Sequence, residues 1–156
     1  MTGRVAFLAD AMLGRLARWL RLAGYDTWYD SKAPDDELAR LARLTGRVLL
    51  TRDRELTRRR GLRSFLVEPD EVQEQLLTVV EAFPPPRGET ACARCARCNA
   101  LLAEVDKCEV EGLVPTYVWV NHERFRRCPG CGRVYWAGTH WGEIESVLAA
   151  AFGELS

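Results

Sequence analysis

The chain reads VAFLADAMLGRLARWLRLAG from Val5 to Gly24, and the fold depends on the pattern in this stretch. Val5 to Ala9 form a short apolar run, which suits a strand buried in a parallel sheet. From Ala11 to Ala23 the apolar residues recur at the helical period, and Gly24 is a typical residue for the end of a helix. A strand followed by a helix is the first half of a βαβ unit.

The same alternation continues to residue 83. Strand formers occur at residues 26–30, 48–50 and 64–67, and each run is followed by a helical or turn pattern. We predict that these segments begin at Pro34, Asp53 and Asp70, with Gln73 completing a capping box for Asp70. Alternating strands and helices predict an α/β fold, with a parallel sheet flanked by helices and joined by right-handed crossovers.

Composition excludes several classes of protein. Apolar residues make up 47% of the 156 residues, which argues against bulk disorder. No apolar run approaches the roughly 20 residues of a membrane helix, and the run near the N-terminus is too short for a signal peptide. We therefore expect a cytoplasmic protein. The 22 basic residues balance 22 acidic ones, so net charge gives no argument for a basic nucleic-acid-binding domain.

Three consecutive prolines, Pro84 to Pro86, divide the chain into two parts of different composition. Prolines cannot continue a helix and favour an extended spacer. We predict one domain over residues 1–87 and a second, smaller domain over residues 88–156. All six cysteines lie in the second part, between Cys92 and Cys131.

The cysteines form CxxC steps typical of a zinc ribbon. Cys92, Cys95 and Cys98 make two overlapping steps, and Cys128 and Cys131 make a third, with glycines that permit a tight turn. Two CxxC knuckles build a tetrahedral zinc site with four cysteine ligands, which is structural because all four ligands are protein groups. The spacing leaves open whether Cys92–Cys95 or Cys95–Cys98 supplies the first pair.

Other features of the cysteine region have simpler interpretations. Cys108 has no CxxC partner and is expected to be a small buried apolar residue. Residues 113–120 are rich in strand formers, so we expect them to form a strand. Redox chemistry at a CxxC pair is a competing function, but neither pair lies in a βαβ pattern.

Acidic residues follow several predicted strands. Asp10, Asp30 and Asp53 come at or just after strand ends, and Asp35 and Asp36 begin the second helix. In open parallel sheets, sites form at the carboxyl ends of the strands. Clustered carboxylates suit Mg²⁺ or Mn²⁺, which can polarise a phosphate and activate water. The alternative for each residue is a helix cap.

Several motifs together resemble the Mut-seven-C type of PIN-like ribonucleases. They are FLADAMLGRLARWLRLAGYDT at residues 7–27, DEL at 36–38, VLLTRDREL at 48–56, RCN at 97–99, CPGCG at 128–132 and YWAGTHW at 135–141. The resemblance implies a PIN-like nuclease fold with divalent-metal-dependent cleavage of RNA, followed by a zinc ribbon. It places catalytic acids at Asp10, Asp36, Asp53 and Glu55, and favours Cys95, Cys98, Cys128 and Cys131 as zinc ligands.

Arginines accompany these acids and are candidate phosphate ligands. Arg15, Arg18 and Arg21 recur at helical spacing after Asp10, and Arg52 precedes Asp53. Guanidinium groups beside an acidic metal site suit RNA phosphates. We expect Arg15, Arg18, Arg52 and His140 to contact the substrate. For Arg58 to Arg60, a solvated surface with local ion pairs is an equal alternative.

The sequence therefore predicts a metal-dependent ribonuclease that hydrolyses RNA phosphodiester bonds. The ribbon would aid RNA binding, since its aromatic rings alternate with arginines, although a small apolar core is the better explanation for at least half of those rings. The main alternative is a non-catalytic RNA-binding or adaptor protein, on ribosomal or transfer RNA, with a degenerate acidic site. A third is phosphotransfer through Asp10. The oligomeric state is not predicted.

Overall fold

A computed structural model describes residues 5–84, 94–137, 144, 146 and 147. Its first part is a four-stranded parallel sheet flanked by helices, which confirms the predicted α/β fold. The strands are β1 (Phe7–Ala9), β2 (Thr27–Tyr29), β3 (Val48–Thr51) and β4 (Ser64–Leu66), and the helices are α1 (Gly14–Leu22), α2 (Asp35–Thr45), α3 (Arg54–Thr57) and α4 (Val72–Ala82). A short 3-10 turn, Ala11–Leu13, joins β1 to α1.

Alternating side chains of the strands divide the apolar core into two layers. Phe7 and Ala9 of β1 face a cluster with α1 and α4, whereas Leu8 faces a cluster with α2 and α3. This division follows from the two-residue period of a strand, which points successive side chains to opposite faces. The sheet is therefore covered on both sides, as a parallel sheet requires.

The order of the strands locates the topological switch point of the sheet. The sheet has the order β2-β1-β3-β4, so the chain moves from β1 to one side and then returns to build the other side. The order reverses between β1 and β3, which pair in parallel with Ala9 opposite Leu50. Ligands of open α/β sheets bind at this kind of switch point, beyond the carboxyl ends of the strands.

The second part is built around a small antiparallel sheet of β5 (Ala103–Val105), β6 (Phe125–Arg127) and β7 (Val134–Tyr135), in that order. A 3-10 turn, Lys107–Val110, and helix α5 (Thr116–Asn121) lie between β5 and β6. Val110, Val118 and Phe125 form the centre of its apolar cluster. Each strand has two or three residues, so this sheet has little core of its own.

The predicted strand at residues 113–120 is wrong, because the segment contains α5 instead. Pro115 precedes the helix in an extended conformation, where its lack of an N–H has no cost. Val114 and Val118, four residues apart, both point into the cluster. Strand propensity is a weak preference that packing of this kind overrides.

Two predictions about single residues are also wrong. Asp70 does not cap α4: Glu71 occupies the cap position without a side-chain hydrogen bond, and Asp70 pairs instead with Arg52 at 2.6 Å. Cys108 is exposed rather than buried. It lies in the 3-10 turn, whose buried residue is Val110.

Some predictions fall on residues outside the described ranges. These are the domain boundary near residue 87, Cys92, His140 and most of the expected C-terminal helix. Ile144 and Val147 are described, and both join the apolar cluster between the sheet, α1 and α4. In the part of the chain that the structure describes, no helix is long and apolar enough to cross a membrane.

Candidate functional site

A hydrogen-bond network joins the ends of β1 and β3 at the switch point. The Thr51 hydroxyl donates a 2.6 Å hydrogen bond to Oδ2 of Asp10 and accepts one of 3.0 Å from the amide of Asp53. Thr51 is fully buried, and Asp10 is only 6% exposed. The Asp10 amide also donates to the Leu50 carbonyl, which continues the sheet to this position. Asp10 and Asp53 are therefore held at one edge by a single side chain.

Asp10 also serves as a cap. Its Oδ1 accepts a 2.8 Å hydrogen bond from the Met12 amide at the start of the 3-10 turn. The Tyr29 hydroxyl donates to the Ala11 carbonyl at 3.0 Å, and a Cβ at Gly14 would lie 2.8 Å from this hydroxyl. The absence of a side chain at Gly14 thus lets Tyr29 support the backbone immediately after Asp10.

The other predicted acids lie at the surface. Asp53 caps α3 through a 2.9 Å bond from the Glu55 amide, and Glu55 pairs with Arg58. Asp36, on the first turn of α2, has a side chain that is 92% exposed and pairs with Arg59 at 2.7 Å. Arg59 follows α3, so this ion pair connects the segments that carry Asp36 and Asp53.

The acids do not form a compact cluster. Among the residues that the structure describes, one group of three or more His, Cys, Asp or Glu side chains has all its ligand atoms within 4.8 Å of one another, and it consists of cysteines. The carboxylate oxygens of Asp10, Asp36 and Asp53 therefore do not all lie within that distance. Asp10 and Asp53 are brought together through Thr51, whereas Asp36 is held by Arg59.

The predicted substrate arginines differ in their partners. Arg52 donates to the Pro69 carbonyl and pairs with Asp70, so its guanidinium is already engaged. Arg15 and Arg18 are exposed, and within the described ranges neither side chain has a hydrogen-bond or ion-pair partner. Arg21 is only 8% exposed and points inward, although its spacing in the sequence suggested that it shares a helix face with Arg15 and Arg18.

Four cysteines form the second candidate site. Cys95, Cys98, Cys128 and Cys131 have sulfur atoms that all lie within 4.8 Å of one another. The sulfurs of Cys95 and Cys131 are 3.7 Å apart. A tetrahedron with Zn–S bonds of about 2.3 Å has an edge of about 3.8 Å, so this spacing fits zinc. Of the two pairs that the sequence left open, the structure brings Cys95 and Cys98 to the site.

The two knuckles have the same backbone geometry. In each, the amide of the second cysteine donates to the sulfur of the first at 3.4 Å. The residue after the second cysteine, Asn99 or Gly132, has a positive φ and donates its amide to the first cysteine's carbonyl at 2.8 Å. Glycine and asparagine are the residues that tolerate this conformation best.

The environment of the thiols favours a bound cation. Burial raises the pKa of Cys95, but hydrogen bonds from Tyr135 and from the amides of Cys98 and Arg97 outweigh it and lower the pKa to about 7. The hydrogen bond to Cys131, with burial and the nearby thiolates, raises the pKa of Cys98 to about 12. Several thiolates at one point repel one another, and a divalent cation removes that penalty.

Tyr135 supports the site from outside the ligand set. Its oxygen lies 3.1 Å from the Cys95 sulfur and accepts a 3.0 Å hydrogen bond from the Ala96 amide. The phenol therefore orients the first ligand and the backbone of the first knuckle together. The sequence identified Tyr135 only as one of several aromatic residues, because nothing in its spacing indicates this contact.

A group of hydrogen bonds fastens the first knuckle to the α/β part, and we call it the clasp. Arg21 donates to the carbonyls of Thr27 and Ala96 at 2.9 and 2.8 Å. The Asn99 side chain accepts from the Thr27 amide at 3.1 Å and donates to Asp26 at 2.7 Å. Sequence reasoning missed these residues, since the two halves of the clasp lie more than 70 positions apart in the chain.

Most of the ribbon's aromatic rings are structural, as the alternative interpretation held. Phe125 is buried, Trp119 and Trp136 pack against the ribbon's apolar cluster, and Tyr135 contacts the cysteine site. Tyr117 is different, because it is 71% exposed.

A comparison with protein-family models finds a match to the family described as the Mut7-C RNAse domain, over residues 5–148. The match covers both the α/β part and the four cysteines. Neither the curated proteins nor the solved structures searched contain a significant match.

Proposed function

Because the chain belongs to the Mut7-C RNAse domain family, we propose that it is a divalent-metal-dependent ribonuclease whose site lies at the carboxyl ends of β1 and β3. Its reaction would be hydrolysis of an RNA phosphodiester bond by water. In this proposal the α/β part is a PIN-like nuclease domain over residues 1–87, and residues 88–156 form a zinc ribbon that aids RNA binding.

One observation carries the proposal: the Asp10–Thr51–Asp53 network lies at the switch point of the sheet. A buried carboxylate is costly unless hydrogen bonds or a cation compensate for its lost hydration. Asp10 accepts two hydrogen bonds and is still 6% exposed at the edge where ligands of such sheets bind. This placement suits a metal ligand held in a fixed orientation.

The donor set of the acidic site consists of carboxylate oxygens, which fits Mg²⁺ or Mn²⁺. Such a cation, when bound, would polarise the phosphate and make water a stronger nucleophile. Asp10 and Asp53 would hold it from fixed positions, and Asp36 and Glu55 would complete the site from the surface. Both surface acids must then turn away from their arginine partners, and exposed ion pairs break at a cost of about 1 kcal/mol or less.

Arginine side chains would bind the phosphates of the RNA. Arg15 and Arg18 are exposed on α1, the helix that follows Asp10, so they are available for this role. For Arg52, the predicted contact with RNA requires its ion pair with the exposed Asp70 to open. His140, which lies outside the described residues, stays a predicted contact.

The cysteine site would hold Zn²⁺ in a structural role. Four thiolate ligands leave no open position for substrate or water, which is the arrangement of structural zinc sites. The small size of the ribbon's sheet is consistent with that role, since zinc supplies folding free energy where a core cannot. We propose the cytoplasm as the location, since disulfides are rare in that reducing compartment and clustered cysteines there are typical of metal sites.

A divalent-metal screen tests the proposal. Zinc-loaded protein is incubated with mixed-sequence RNA, or with DNA of the same sequence, in Mg²⁺, Mn²⁺, Ca²⁺ or no added metal. We expect cleavage of RNA in Mg²⁺ or Mn²⁺, and its loss in Asp10→Asn and Asp36→Asn. Asp35→Asn is the matched control for Asp36→Asn, because Asp35 is the exposed neighbour on the same helical turn.

Melting curves and zinc content of each variant show whether the fold is retained. No cleavage by the wild type in any metal would contradict the proposal, and so would a folded Asp10→Asn protein with wild-type activity.

A non-catalytic RNA-binding protein is the second candidate. The observation that favours it is the Asp36–Arg59 ion pair, which occupies one predicted catalytic acid and leaves the acidic residues spread out. This candidate predicts RNA binding that is the same with and without Mg²⁺, with no cleavage products. The metal screen separates the two candidates directly.

A further inference from the structure

We infer that single-stranded RNA follows a path along α1, from the acidic edge at Asp10 to the first zinc knuckle, with Arg15, Arg18 and Arg97 contacting its phosphates. This inference rests on the proposed function, because it gives the route by which the substrate reaches both parts of the chain. The RNA would follow α1 from one end to the other, and Arg97 would be a third residue in contact with its phosphates.

The first knuckle and the acids lie at opposite ends of the parallel strands. Asp10 and Asp53 lie at the carboxyl ends of the parallel strands. The knuckle contacts Asp26 and Thr27, which lie at the amino end of β2. The two candidate sites therefore occupy opposite edges of one sheet. An RNA strand that contacts both of them has to cross the length of the domain.

Helix α1 connects those two edges of the sheet. The helix begins after the 3-10 turn that Asp10 caps, and it ends before Tyr25, which leads into β2. At its far end, Arg21 donates to the carbonyls of Ala96 and Arg97 in the knuckle. The α-helix and the 3-10 turn together span about 20 Å, which is the length of the path.

The exposed face of α1 is positively charged. The helix has the sequence GRLARWLRL and contains no acidic residue. Arg15 and Arg18 are three residues apart, so they are neighbours on the surface. Arg97 is exposed on the knuckle, and its backbone is next to Arg21, one turn beyond Arg18.

Arg15, Arg18 and Arg97 differ from the surface arginines on the segments that carry Asp36 and Asp53. Most of those near the acidic edge are paired with a carboxylate: Arg40 with Glu37, Arg54 with Glu68, Arg58 with Glu55 and Arg59 with Asp36. Among the described residues, Arg15, Arg18 and Arg97 have no such side-chain partner. Their positive charge is uncompensated, and a polyanion with regularly spaced charges is the complementary ligand.

A single strand fits this surface better than a duplex. Arg15 and Arg18 are neighbours on one helix and Arg97 lies beyond its end, so the three positions follow one row of phosphates, whereas a duplex presents two. Binding to phosphates alone carries no sequence information, so the path would accept RNA of different sequences.

The test measures binding of a single-stranded RNA of about 12 nucleotides, which is longer than the path, by fluorescence anisotropy across a series of salt concentrations. All proteins carry Asp10→Asn, so that the RNA is not cleaved, and all are loaded with zinc. For single strands, each phosphate contact contributes about 0.7 to the slope of log K against log salt. We expect Arg15→Ala, Arg18→Ala and Arg97→Ala each to reduce the magnitude of the slope by about 0.7.

Arg40→Ala is the matched control, since it removes the same charge from an exposed helix position whose side chain already forms an ion pair with Glu37. Its slope is expected to equal that of the parent. Melting curves and zinc content verify that the variants are folded, and the four substituted arginines are all exposed.

The outcomes separate this inference from the proposed function. If the wild type cleaves RNA but the slopes of all three variants equal that of Arg40→Ala, the path is wrong and the ribonuclease assignment stands. If only Arg97→Ala matches the control, RNA does not reach the knuckle and the path is also wrong. If all three slopes fall but the wild type cleaves nothing, the path stands and the catalytic proposal is wrong.

Discussion

The Arg21 guanidinium donates a 2.8 Å hydrogen bond to the carbonyl of Ala96, a residue 75 positions later in the chain. This bond joins the first helix of the α/β part to the backbone between two cysteines of the ribbon. Together with the contacts of Asn99 it makes the first knuckle part of the sheet's edge. The ribbon is therefore attached to the α/β part by specific hydrogen bonds between side chains and backbone.

Replacing Arg21 by methionine should destabilise the folded chain by about 2–4 kcal/mol, because the carbonyls of Thr27 and Ala96 lose their charged donor. Arg18→Met is the control, since Arg18 lies one turn earlier on the same helix and is exposed. Its effect should stay within about 0.5 kcal/mol. Urea denaturation measures both. Equal stabilities for the two variants would mean that the clasp contributes nothing.

Asn99→Gly should loosen the clasp and leave the zinc site intact. Glycine tolerates the positive φ at this position, as Gly132 does in the second knuckle, but it removes the acceptor of the Thr27 amide and the donor to Asp26. We expect the Thr27 amide to exchange its hydrogen faster in the variant, with zinc still bound. An unchanged exchange rate at Thr27 would contradict this assignment.

Tyr135→Phe should weaken zinc binding by about tenfold, because groups that orient a metal ligand typically change affinity by about 10- to 100-fold. The variant removes the hydroxyl that contacts the Cys95 sulfur and the Ala96 amide but keeps the ring. Competition with a chromogenic chelator measures the affinity. Tyr117→Phe, at an exposed position, is the control and should bind zinc as the wild type does.

Thr51→Val should cost about 1.5–3 kcal/mol of stability, since a carboxylate oxygen of the nearly buried Asp10 loses its hydrogen-bond donor. Thr51→Ser keeps the hydroxyl and should cost less. In the proposed ribonuclease, the valine variant should also lose more cleavage activity than the serine variant, since Asp10 and Asp53 are no longer linked. Denaturation curves and Mn²⁺-dependent cleavage assays check the two expectations separately.

Acid should weaken the clasp through Asp26. Burial raises the pKa of this carboxyl, but hydrogen bonds from Arg47 and Asn99 outweigh it and hold the pKa below its ordinary value. A carboxyl whose pKa is lower in the folded state than in the unfolded state stabilises the fold at pH values above its unfolded pKa of about 4. That stabilisation is lost as the pH falls through the pKa of the folded state. Asp26→Asn should therefore be less stable than the wild type at neutral pH.

The difference between wild type and Asp26→Asn should shrink as the pH falls below about 4. Urea midpoints at about pH 7 and about pH 3, on either side of that value, measure it. A difference of the same size at both values would show that the charge of Asp26 is not what stabilises the clasp.

Local patterns predicted the α/β part well. The four strands and their helices appear close to the expected positions, because a buried strand and an amphipathic helix each have their own period in the sequence. The choice of Cys95 and Cys98 over Cys92 and Cys95 came from the resemblance to the family rather than from spacing, and the structure brings those two sulfurs to the site.

The failures share a physical cause. Residues 113–120 contain a helix because Val114 and Val118 have to reach one apolar cluster, and strand propensity carries no information about that cluster. Asp70 was expected to cap a helix, but Arg52, 18 residues earlier, is its partner. In both cases a contact between distant segments overrode a local preference.

The sequence by itself determined the order of strands and helices along the chain, the family, and the positions of the carboxylates and thiols that we propose as ligands. Each of these depends on residue type and on short spacing, which a linear chain contains in full. Only the tertiary structure decided that Arg21 is buried while Arg15 and Arg18 are exposed, and that the first cysteine knuckle lies at the opposite edge of the sheet from Asp10. Those facts depend on which distant groups meet when the apolar surfaces pack together.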